Sequence, residues 1–126
     1  MLSGIGVYRG GTSGGYARVH VCCHDVAGAL NVDLVLDDHD WNDQLRDGSF
    51  ASWTDAAIVG VQYALNTVDQ DCGNWIIHRI VGLMVDTNPR FVAIAAAKGA
   101  WIALQIEPSP SRLADLDQFA STRFAD

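Results

Sequence analysis

Two stretches of the chain alternate between apolar and polar positions. From Tyr16 to His24, Val19, Val21 and Cys23 fall on one side, with Arg18, His20 and Cys22 on the other. From Ala29 to Asp37, Leu30, Val32, Leu34 and Leu36 share a side. Period-two alternation places each set on one face of a strand. The short connection carrying Asp25 and Gly28 predicts an antiparallel hairpin, its apolar face covered and its polar face toward water. Residues 38–52, acidic and punctuated by Gly48, read as a loop. A helix follows, capped by Ser52 or Thr54 and striped by Ala57, Ile58, Val61, Leu65 and Val68. Trp75 to Val85 is apolar on both faces, which predicts a central strand. Asn88 as cap and Pro89 in the first helical position open a helix running to about Gln105. Its face of Val92, Ala95, Ala96, Gly99 and Ala103 is small enough to approach a sheet closely. Pro108 and Pro110 break the chain, and Leu113, Leu116, Phe119 and Phe124 predict a short terminal helix from about Ser111.

The order strand, strand, helix, strand, helix predicts an α+β sandwich: a mixed or mostly antiparallel sheet with two helices on one face. At 126 residues it is expected as a single domain, 1–126. Within it, 1–15 form a Gly-rich arm with a short edge strand near Val7 and Tyr8, 16–105 the core, and 108–126 the tail. The early glycines lack the strand-loop-helix context of a phosphate loop, so the arm reads as flexible. A composition of 49% apolar and 18% charged residues separates the chain from disordered sequences. The longest apolar run, Phe91 to Leu104, contains Lys98 and Gly99 and is shorter than the ~20 residues of a membrane span. No membrane association and no secretory signal are expected. Cys22 and Cys23 are adjacent, hence on opposite faces of a strand, and Cys72 makes the number odd. That usage suits a reducing cytoplasm, the expected location, better than a disulfide framework.

The net charge of −7 sets eight scattered basic residues against fifteen acidic ones. Nucleic acid is held chiefly by clustered Lys and Arg, so a general nucleic-acid binder is disfavoured, whereas a basic protein partner is accommodated. Asp38, Asp40, Asp43 and Asp47 stand beside Trp41 and Phe50, the composition of an acidic recognition surface with aromatic anchors. Phe50 and Trp53 also suit a plainer role, stapling the start of the helix. The leading expectation is a non-catalytic interaction domain that binds a protein through this acidic-aromatic loop, without a cofactor.

The polar hairpin face offers the alternative. A register pairing Cys23 with Leu30 sets His20 opposite Asp33 and Cys22 opposite Asn31, with His24 at the turn. Histidine beside carboxylate begins general-base chemistry, and His, Cys and Asp together bind zinc. The paired-ligand spacing of a zinc site is missing, so no metal is expected. A cross-strand His–Asp pair also arises because it stabilises a sheet by roughly a few tenths of a kcal/mol. Cys72, near Asp69 and Asp71, is expected to have a raised pKa and no nucleophilic role. His78, in an apolar strand, is expected as a hydrogen-bonded core histidine.

Three strings resemble the fourth domain of elongation factor G. Thr12-Ser13-Gly14-Gly15-Tyr16-Ala17-Arg18-Val19 is similar to its threonine-glycine-glycine turn entering the first long strand. Val59-Gly60-Val61-Gln62-Tyr63-Ala64-Leu65 resembles its first helix. Val85-Asp86-Thr87-Asn88, with Phe91-Val92-Ala93-Ile94-Ala95, resembles its valine-aspartate-serine-serine turn and alanine-rich helix. The resemblance spans roughly residues 7 to 105 and implies that domain's α+β fold, and ribosome or RNA association as an alternative function. Leu83 and Met84 stand where the family carries a histidine at its functional tip, so translocation is not implied. Asp37-Asp38-His39-Asp40 resembles the acidic-histidine string of imidazoleglycerol-phosphate dehydratase, but lacks its second histidine and the helix directly after it.

Overall fold

The structure is a computed structural model. It describes residues 1–10, 14–83 and 85–124, with Asp40 and Trp41 described in their backbone only. Thr12, Ser13 and Met84 therefore lie outside the described residues. Strands β1 (Leu2–Arg9), β2 (Tyr16–Cys23) and β3 (Asn31–Leu34) come first, then helices α1 (Asp40–Arg46) and α2 (Ala51–Thr67). Strand β4 (Asn74–Gly82) and helices α3 (Pro89–Ala103) and α4 (Pro110–Arg123) complete the chain.

The strands form one mixed sheet in the order β1-β2-β4-β3. β1 and β4 run antiparallel to β2, and β3 runs parallel to β4. Helices α2 and α3 cover one face of the sheet, the predicted α+β arrangement. The predicted hairpin does not form. β2 pairs with β4 along its whole length, and β3 lies on the far edge. Burial explains the exchange. β4 brings Trp75, Ile77 and Ile80 fully under the helices, against Ala17, Val19, Val21 and Cys23 of β2, while Val32 and Leu34 of the short β3 are only half-buried. The more apolar strand gains most from the central place.

The Gly-rich arm is also more ordered than predicted, an eight-residue strand rather than a short one near Val7. Gly4 and Gly6 lie against α3, where a Cβ on Gly6 would overlap the Ala95 carbonyl oxygen. These glycines permit backbone-to-backbone approach, so their role is packing rather than flexibility. The same logic joins α2 to α3: a Cβ on Gly60 would overlap the Ala93 carbonyl oxygen. The Trp101 indole N–H donates to the Ala64 carbonyl at 3.1 Å, locking the two helices in register.

Helix α3 starts as predicted, with Asn88 Oδ1 accepting from the Phe91 N–H at 3.0 Å and Pro89 in the first turn. Helix α4 starts at Pro110, capped by Ser109, and packs Leu116 and Ala120 inward with Phe119 stacked on Tyr63 at 4.2 Å. Helix α2 begins earlier than predicted and without a side-chain cap; the Thr54 hydroxyl instead donates to Ala51 O. The predicted loop 38–52 contains α1, which turns Asn42 and Leu45 inward. Among the described residues no helix is long and apolar enough to cross a membrane. None covers the second face of the sheet, where Ile5 and Val35 are 49% and 59% exposed.

Candidate functional site

Two surfaces carry the predicted site residues: the bare sheet face and the acidic segment beside it. On the bare face, His20 does not meet Asp33. In β2 it is in register with Ile5 on one side and Arg79 on the other, and β4 lies between it and β3. Cys22 faces Ile76 and Ser3 rather than Asn31, and Asp33 is exposed, accepting a hydrogen bond from Asn31 at 2.7 Å. The general-base pair foreseen across the hairpin is therefore absent, because the hairpin itself is absent.

A β-bulge in β4 builds a different constellation. The register slips between His20 and Val21, leaving His78 unpaired toward β2, so His78 and Arg79 lie side by side. The His78 ring meets the His20 ring edge-on at 5.6 Å. Asp37, just past β3, contacts both bulge residues: Arg79 at 3.0 Å and His78 at 3.5 Å. Burial opposes its ionisation, but hydrogen bonds from Arg79 and His78 prevail and hold the carboxyl below its usual range. His20 goes the other way. Burial first, then the positive charges of Arg18 and Arg79, lower its pKa to about 4. It is a neutral imidazole at neutral pH, with a buried Nε2 that has no hydrogen-bond partner. Arg79, His78 and Asp37 were outside the predicted site because a bulge leaves no mark in the alternation of the sequence.

The thiols are not activated. Cys22 is buried and lies 3.6 Å from His24 Nε2, with its pKa raised by burial and by Cys23. Cys72 hydrogen-bonds Asp71, which raises its pKa, as the neighbouring charges predict. All three cysteines are free. Among the described residues no group of three His, Cys, Asp or Glu side chains is placed to hold a metal ion.

The acidic segment projects from the margin of this face. Asp38 is fully exposed and Asp43 largely so. The cation beside them, Arg46, donates to the backbone carbonyls of Leu36 and Asp37 and pairs with Asp43 at 2.8 Å. It only grazes Asp38, at 4.0 Å. Asp47 accepts from the hydroxyl and amide of Ser49, which lower its pKa. The aromatic anchors divide. Phe50 is stacked on buried Trp53 at 4.4 Å and secures the start of α2, the plainer of the two roles the sequence allowed it. The side chains of Asp40 and Trp41 lie outside the described residues.

The Thr87 hydroxyl donates to Tyr16 O and accepts from the Leu83 N–H, tying the turn before α3 to the start of β2. No family model and no curated protein matches this chain. Solved structures do. A protein of Thermus thermophilus aligns with a TM-score of 0.58 at 16% identity, over 79% of this chain and 15% of its own. A mevalonate kinase aligns at 0.55 and 10%, over 96% of this chain and 45% of its own, and the Methanococcus jannaschii mevalonate kinase at 0.54 and 9%, over 98% and 45%. This chain thus spans less than half the length of each. At such identities the likeness concerns the fold alone, an α+β architecture shared with parts of larger proteins.

Proposed function

We propose that this chain is a non-catalytic interaction domain whose acidic segment, Asp38 to Asp47, engages a basic protein surface. One observation carries the reading: Asp38 and Asp47 point outward beside a cation, Arg46, that is already engaged by two backbone carbonyls and Asp43. Exposed carboxylates beside an occupied cation leave a net negative field at one margin of the molecule, which speeds encounter with positive partners. The raised pKa values of Cys22 and Cys72 favour binding over nucleophilic chemistry.

The test is affinity capture from native lysate with and without ribonuclease, followed by association kinetics with the captured protein. Capture should survive ribonuclease, and the on-rate should fall as salt rises and in Asp38→Asn/Asp47→Asn. An on-rate indifferent to both overturns the reading. The likeness in sequence to the fourth domain of elongation factor G supports a second reading, ribosome association. Loss of capture on ribonuclease treatment selects that reading.

A further inference from the structure

The two edges of the sheet are finished differently. At the β3 edge the strand is only four residues long, Asn31 and Asp33 are exposed on it, and just beyond its end Arg46 takes the carbonyls of Leu36 and Asp37. Short strands, charges and covered backbone are the usual devices that stop an edge from pairing with another chain. The β1 edge has none of them over Leu2–Tyr8. It is eight residues long, contains no proline or lysine, and carries one charge, Arg9, at its end.

Its backbone is open as well. The His24 amide donates to Asn74 O, so the alternation of an antiparallel ladder turns Ala17, Val19, Val21 and Cys23 toward β1. Their partners Tyr8, Gly6, Gly4 and Leu2 are thereby satisfied, and the N–H and C=O groups of Ser3, Ile5 and Val7 point away from the sheet. Among the described residues nothing bonds them. Charge identifies the occupant. The first acidic residue of the chain is Asp25: residues 1–24 carry Arg9 and Arg18 and no carboxylate, while all fifteen acidic residues and the other six basic ones follow. In so acidic a protein, the β1–β2 side is the surface on which two copies approach without their carboxylates opposing each other. An antiparallel pair of identical strands is also self-complementary about a twofold axis.

We infer that two copies of this chain associate through antiparallel pairing of their β1 edges, joining the sheets into one eight-stranded sheet with a continuous bare face. With the twofold axis at Ile5, Ile5 of each copy lies opposite Ile5 of the other, and Val7 lies opposite Ser3, across the new seam.

Sedimentation velocity of the full chain over a range of concentrations tests this. The expected result is a reversible dimer. Val7→Pro removes an outward amide without touching the β2 ladder, and should weaken association by at least about tenfold. Ile5→Lys, which leaves the backbone intact, places a charge at the seam and should do the same; it keeps the test open if the proline variant unfolds. Circular dichroism confirms that each variant is folded. A chain that stays monomeric at every concentration overturns the inference, as does a dimer unmoved by Ile5→Lys. The first result leaves the edge to an extended segment of another protein.

Discussion

The side chain of Asn42 replaces a strand for the backbone of β4, donating to the His78 carbonyl at 3.1 Å and accepting from the Ile80 amide at 3.3 Å. It sits where β3 has ended but β4 continues, and it is fully buried. Its amide also donates to Asp37 Oδ1 at 2.8 Å, so one residue ties the bulge, the end of β3 and helix α1 together.

Asn42→Ala should cost about 1–3 kcal/mol, because it strands the buried Ile80 amide, while the His78 carbonyl keeps only its bond from the Asp37 amide. Asn42→Asp should fold worse still at neutral pH, setting a second carboxylate against Asp37. Urea denaturation followed by circular dichroism measures both.

Gly60→Ala sets two effects against each other. Alanine raises helix propensity by about 1 kcal/mol, but its Cβ would overlap a backbone oxygen of α3 that cannot swing aside. Forced overpacking costs about 1–3 kcal/mol or more, so the expected result is net destabilisation. A melting temperature at or above the parent's would show that α2 and α3 are farther apart than described.

Gln105→Gly should stabilise. Gln105 ends α3 with φ of 59°, and the Ile106 amide closes the turn on Trp101 O, a left-handed finish that glycine adopts without strain. Relief of strain less the added freedom of the unfolded chain leaves a gain of roughly 0.5 kcal/mol, or about 2–3 °C in a thermal melt.

The pH dependence follows from His20. Its folded pKa of about 4 lies below the ordinary 6.5, so between those values the unfolded chain takes a proton that the folded chain refuses. Stability from this group is complete above pH 6.5 and declines as the pH falls toward 4. Asp37, also lowered, adds its own loss only as the pH falls further, below the usual carboxylate range. His20→Gln should flatten the stability profile between pH 6.5 and 4, and NMR of the His20 ring should show it neutral at pH 5.5. A ring half-protonated near 6.5 would contradict both.

The sequence shows which faces are apolar better than it shows which strands meet. Val19, Val21 and Cys23 are buried together as their alternation requires, and Asn88 with Pro89 marks the start of α3. Pairing is less legible because Ala29 to Asp37 follows β2 closely in the chain, and nearness in sequence favours a hairpin that the greater burial of β4 outcompetes. Helix α1 was hidden because its seven residues include two aspartates behind an acidic run and no side-chain cap, a composition that reads as loop. Of the candidate site, His20 and Cys22 do share the bare strand face, but the carboxylate near His20 is Asp37, brought there by a bulge rather than by strand register.

The late insertion of β4 between β2 and β3 has a consequence for how the chain is made. Until residues 74–82 leave the ribosome, β2 lacks its inner neighbour and β3 has none. Only β1 and β2, neighbours in the chain, can pair early; completing the sheet must wait for a long loop to close, and folding is slowed accordingly. Nascent or truncated chains ending before Asn74 expose apolar strands with unmet backbone groups, and they are the form of this protein in which aggregation starts.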